Sequence, residues 1–104
     1  MGQDLFMAIN TIVVLDALAP PAALVNLVIT VTEVKTSVLR DAAIRRPDGW
    51  LATGTSTDAV VIAATGRGRA CEFGGPISDL GAVTARAARR ALERGVKAWL
   101  ERHR

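Results

Sequence analysis

Two kinds of apolar spacing alternate along this chain. From Ala8 to Leu15 the run Ile9, Thr11, Ile12, Val13 and Val14 is mostly β-branched and closes at Asp16, which predicts a strand. Pro20-Pro21 stands where the first turn of a helix accepts proline, and the spacing then predicts a helix over about Pro21–Ala43. Arg45-Arg46-Pro47-Asp48-Gly49 reads as a turn. Ala59–Ala64 predicts a second strand and Arg69–Phe73 a third, with Gly66-Arg67-Gly68 joining them as a hairpin. Gly74-Gly75-Pro76 ends that strand. Ser78 as N-cap, with Asp79 in the first turn, then opens a last helix reaching about Glu101. The order β-α-β-β-α predicts an α+β fold, a small sheet of about three strands with both long helices on one face. So narrow a sheet has an edge that another strand can join, from a further part of the polypeptide or from a second subunit.

At about 100° per residue, Leu24, Leu27, Val28, Val31, Val34 and Val38 form the apolar stripe of the first helix, with Asn26, Thr30, Glu33 and Ser37 opposite. Lys35 breaks the rule. It projects beside Val28, Val31 and Leu39, and no carboxylate stands three or four positions away to pair with it. Two readings are open. A lysine at the margin of a stripe runs its stem along apolar surface and sends its ammonium to water. A lysine held in a partly apolar pocket is instead suited to proton transfer, because desolvation disfavours its charged form.

Composition narrows the class. The 104 residues suit one small domain; half are hydrophobic and 22% charged, which supplies a core and argues against disorder. With two Trp, two Phe and no Tyr, that core rests on Val, Ile, Leu and Ala. The single Cys71 forms no internal disulfide and fits a reducing cytoplasm. The opening Met1-Gly2-Gln3-Asp4 has no basic signal region, and Phe6 stands where a myristoylation signal needs Ser or Thr. The uncharged run Ala17–Thr32, interrupted by Pro20-Pro21, is expected to be too short for a membrane span. The net charge of +3 is uneven: residues 1–64 hold four Lys/Arg against six Asp/Glu, residues 65–104 nine against four. Glu93 and Glu101 share the last helix with its arginines, and aromatic interleaving is lacking, so no nucleic-acid partner is expected.

The densest candidate chemistry is Ala52-Thr53-Gly54-Thr55-Ser56-Thr57-Asp58, which runs directly into the apolar strand. Small polar residues also build ordinary turns, but this loop brings hydroxyls and backbone N–H groups to a sheet edge. Familiar catalytic sets are missing: the lone His103 lies next to the C-terminus, and no His/Cys cluster has zinc spacing, so no metal site is expected.

Three segments in this order resemble the adenosylcobinamide amidohydrolase family. They are Ile9-Asn10-Thr11-Ile12-Val13-Val14, Leu24-Val25-Asn26 through Ile29-Thr30-Val31-Thr32-Glu33-Val34-Lys35-Thr36, and the Ala52–Asp58 loop, with Gly74-Gly75-Pro76 and Leu80-Gly81 following. The likeness spans about residues 8–98 and looks like the family's C-terminal portion, whose members normally carry a further segment before the position of Met1. It implies a cytoplasmic enzyme of cobinamide salvage that cleaves the amide between aminopropanol and the corrinoid, giving adenosylcobyric acid. The implied catalytic set is Glu33, Lys35, Thr55, Thr57 and Asp58. Thr55, Thr57 or a water is the attacking group, and Lys35, Glu33 or Asp58 moves protons. Asn10, Asn26, Thr30, Thr36, Thr53, Gly54 and Ser56 are implied as substrate-binding. No cofactor is implied, since the substrate is itself a cobalt corrinoid; the partner is that small molecule, alongside a second copy or a chain supplying the further portion.

Overall fold

The computed structural model describes residues 8–103. The opening Met1–Asp4 and Phe6, on which the signal and myristoylation readings rest, lie outside the described residues. Strand β1 (Asn10–Leu18) is followed by helix α1 (Pro21–Asp41), strand β2 (Ala59–Ala70) and helix α2 (Asp79–Arg102). Pro20 caps α1 and Pro21 occupies its first turn, where a missing N–H costs nothing. Ser78 caps α2 by accepting from the Gly81 amide at 3.0 Å.

The α+β class is as expected, but the sheet has two strands among the described residues. They pair in parallel, Asn10 beside Ala59 through Leu15 beside Ala64, with α1 as the crossover. The third strand is corrected. Arg69 and Ala70 are the end of β2, paired with Ala17 and Leu18, and Cys71–Phe73 fall outside any strand. Gly66-Arg67-Gly68 does not reverse the chain; it bulges, so β2 spends more residues than β1 between Leu15/Ala64 and Ala17/Arg69. Gly66 and Gly68 take φ of +75° and +85°, and a Cβ on Gly68 would lie 3.0 Å from the Asp16 carbonyl oxygen. Gly68, part of the run that suggests a hairpin, serves here to bring two backbones close. Thr65 Oγ1 pins the bulge by donating to Asp16 Oδ1 at 2.9 Å.

Both helices cover one face of the sheet. Val13, Val60 and Ile62 pack there against a core built from Val31, Val38 and Leu39 of α1 and Ala88, Leu92 and Val96 of α2. The other face is bare: Ile12 and Val14 are 71% and 70% exposed, with Leu18 and Val61 about half exposed. α1 has 21 residues, about 31 Å at its 1.5 Å rise, and by length and composition it is apolar enough to cross a membrane. That corrects the expectation from Ala17–Thr32, because the prolines start the helix instead of breaking it. Its Ala23, Leu27, Val31, Val38 and Leu39 are buried against the rest of the domain, so it is the core helix. Thr30, expected opposite the stripe, is buried too, donating to the Gly74 carbonyl at 2.8 Å. α1 is covered on two sides: by α2, and by the Gly74 segment.

Candidate active site

Lys35 stands on the buried face of α1, one turn beyond Val31 and one before Leu39, and its side chain is only 10% exposed. Burial of a lysine demands a partner. The partner is Asp58, the last residue before β2, whose Oδ2 accepts from Lys35 Nζ at 2.6 Å. Sheet pairing fixes Asp58, since the next amide, Ala59 N–H, donates to the Ile9 carbonyl at 3.1 Å.

The loop between is stitched to α1 and to the residues just after it. Fully buried Ala52 donates its amide to the Ile44 carbonyl at 2.8 Å, and Thr36 Oγ1 donates to the Thr53 carbonyl at 2.9 Å. Thr55 then donates twice to one carboxylate, its amide to Asp58 Oδ2 at 2.9 Å and its hydroxyl to Oδ1. A Cβ on Gly54 would lie 2.6 Å from Asp58 Oδ2 and 3.0 Å from Lys35 Nζ. Glycine is needed here for room, because the ammonium and carboxylate crowd its Cα. Burial pushes the Asp58 carboxyl up, but the hydrogen bonds from Lys35 and Thr55 and the Lys35 charge outweigh it and hold the group below its ordinary 3.8.

These groups open onto a cleft of about 590 Å³ that Thr32, Thr36, Thr53, Gly54 and Ser56 also line. Of the implied catalytic residues, Lys35, Thr55 and Asp58 come together. Glu33 is exposed and outside the cleft lining, because two residues on a helix rotate it well away from Lys35. Thr57 is exposed and also outside the lining. Of the implied binding residues, Thr36, Thr53, Gly54 and Ser56 reach the cleft. Thr30 is spent on Gly74, and half-buried Asn26 makes no side-chain hydrogen bond with the described residues. Asn10 lines a separate groove of about 300 Å³ between β1 and α2, with Ala91, Gly95 and Trp99. That groove is mainly apolar and holds no hydroxyl–carboxylate–ammonium cluster, which makes the Lys35 cleft the candidate site. Arg46 and Pro47 also line that cleft. In the sequence they read only as part of a turn.

A hydroxyl and an ammonium on the two oxygens of one enclosed carboxylate suit hydrolysis of an acyl bond, with a nucleophile, a proton path and a positive charge within one cleft. The family is more specific. The family model for adenosylcobinamide amidohydrolase matches residues 8–104, and the chain belongs to that family. It is an amidohydrolase family, and the match takes in Lys35 and the whole Thr53–Asp58 loop. No curated protein and no solved structure matches the chain.

Proposed function

We propose that this chain hydrolyses the amide joining aminopropanol to the corrinoid of adenosylcobinamide, giving adenosylcobyric acid and free 1-amino-2-propanol. The observation that carries the reading is the convergence of Thr55 and Lys35 on Asp58 inside the cleft. Thr55 Oγ attacks the amide carbonyl carbon, and its proton leaves along the existing hydrogen bond to Asp58. The C–N bond breaks as the amine takes that proton. Water then cleaves the Thr55 ester, releasing the acid and restoring the hydroxyl. Lys35, fixed on the other carboxylate oxygen, places positive charge where the tetrahedral oxyanion develops, and backbone N–H groups around Gly54 are further donors. Glu33 has no part in this scheme.

The test is to incubate the purified protein with adenosylcobinamide and measure adenosylcobyric acid and released aminopropanol. Thr55→Val should lower kcat by about 10² or more. Folded protein that neither turns over nor binds a corrinoid removes the reading.

A second reading rests on the bare sheet face and its open edges. On it the chain binds a corrinoid without catalysis, or completes a site with another polypeptide laid against β1 and β2. Stoichiometric corrinoid binding with no turnover by the isolated chain, and turnover restored by a partner, would favour it.

A further inference from the structure

Trp50 is the anomaly outside the catalytic cluster. It is 72% exposed, although tryptophan is among the more buried residue types on average. Yet the segment that carries it is firmly held. Arg46 N–H donates to the Trp50 carbonyl at 2.7 Å, Gly49 N–H to the Arg46 carbonyl at 2.9 Å, and Trp50 N–H to Asp48 Oδ1 at 3.1 Å. The Arg45 guanidinium donates to the Gly49 carbonyl at 2.8 Å, and Arg46 pairs with Asp48 at 2.6 Å. An antiparallel bridge between Arg45 and Leu51 closes the base, and Gly49 takes φ of +92° at the tip. The turn presents an indole to water on a rigid mount. An indole so held loses little freedom on contact, which is what makes aromatic residues effective anchors for a ligand.

The position of the turn says which ligand. Arg46 and Pro47 are themselves part of the cleft wall, and the Trp50 carbonyl is bonded to the Arg46 amide. Around Lys35 the cleft carries the ammonium, carboxylate and hydroxyl groups that would meet the reacting amide. A corrinoid is far larger than that amide, so the rest of it must extend along and past the cleft walls, and Arg46 and Pro47 bring this turn, with Trp50 outside the cleft lining, to that wall. The turn's exposed side chains include an apolar indole and a guanidinium whose charge Asp48 already balances. That combination suits a macrocycle whose periphery bears methyl groups and uncharged carboxamides better than it suits a phosphate or another anion.

We infer that the Arg45–Leu51 turn is the wall that recognises the macrocycle, with Trp50 packing on its methyl-bearing rim and Arg46 donating hydrogen bonds to peripheral carboxamide oxygens. The inference rests on the corrinoid reading above and adds a selectivity device: binding energy from the non-reacting part of the substrate holds the scissile amide at Thr55. Small amides lacking the ring gain nothing from this wall.

The test is binding and does not require turnover. Dicyanocobinamide is titrated calorimetrically into the parent chain and into Trp50→Ala, Trp50→Phe and Arg46→Ala, each checked by circular dichroism and thermal unfolding. The exposed indole leaves the fold intact when removed. Trp50→Ala should weaken binding at least tenfold, Trp50→Phe should recover most of it, and Arg46→Ala should lose several-fold. N-acetyl-1-amino-2-propanol, the ring-free amide, should distinguish none of them. A parent that binds dicyanocobinamide beside a folded Trp50→Ala that binds within twofold of it overturns the wall and leaves the corrinoid reading standing. A folded parent that does not bind dicyanocobinamide overturns both.

Discussion

Two ion pairs in this protein have almost the same geometry and opposite surroundings. Lys35 meets Asp58 at 2.6 Å, joining α1 to the residue before β2, and Arg69 meets Asp79 at 2.9 Å, joining the end of β2 to the start of α2. The first pair is 10% and 12% exposed, the second 75% and 79%. Solvent screens the second pair, and exposed pairs of this kind are worth about 0–1 kcal/mol. The enclosed pair feels a lower effective dielectric, so loss of one partner strands the other at a much higher cost. Enclosure, not distance, decides which pair matters for the fold, and it is the enclosed pair that the proposed chemistry uses.

The largest effect expected on this comparison is from Lys35→Met. The methionine keeps an apolar stem of similar shape but leaves Asp58 with only the Thr55 donors, so urea unfolding should show a loss of about 3 kcal/mol. Turnover of adenosylcobinamide should fall by about 10² or more, as oxyanion stabilisers of other enzymes do on removal. A loss no greater than that of Arg69→Ala would erase the distinction. Gly54→Ala comes next. Its methyl group would enter the space of Asp58 Oδ2, 2.6 Å away, and force the carboxylate off Lys35 and Thr55. A loss of about 2 kcal/mol is expected, along with the activity.

Asp58→Asn sharpens the comparison through pH. The folded carboxyl lies below its ordinary 3.8, so its charge stabilises the fold above about pH 4, and that contribution is lost as pH falls through the folded value. The gap in Tm between parent and Asp58→Asn should be full at pH 7, narrow below about pH 4, and close in strong acid. A gap that widened with acid would refute the assignment. The smallest effect is that of Arg69→Ala, expected to change stability by less than about 0.5 kcal/mol and to leave turnover unaltered.

Much of this is legible in the sequence, for definable reasons. The helix expected over Pro21–Ala43 is observed at Pro21–Asp41, and the one expected from Ser78 to Glu101 at Asp79–Arg102. Proline, an N-cap serine and sustained periodicity are local signals, so they survive without tertiary context. Helical geometry also places Lys35 among Val31 and Leu39. It cannot supply Asp58, because that partner lies 23 residues away across a loop whose course depends on sheet pairing. The bulge fails as a hairpin for the same kind of reason: the positive φ of Gly66 and Gly68 fits a reversal and a bulge equally, and only the alignment with Asp16 and Ala17 decides. Arg46 and Trp50 escape notice because turn residues carry no periodicity to mark which way they face.

The parallel pairing of β1 and β2 also bears on the order in which the chain assembles. Asn10 cannot find Ala59 until α1 and the whole following loop have been made. Thr36 reaches Thr53 across only 17 residues, and Lys35 reaches Asp58 across 23. Closing a short loop costs less entropy than closing a long one, and topologies rich in distant contacts fold slowly. The helix–loop clamp is therefore expected to close early and the sheet to zip late, so the chemistry-bearing residues are gathered before the strands beside them are paired. The proposed site is then expected to serve as a folding nucleus too, and substitutions at Lys35 should slow refolding where substitutions on the bare face of β1 mainly speed unfolding.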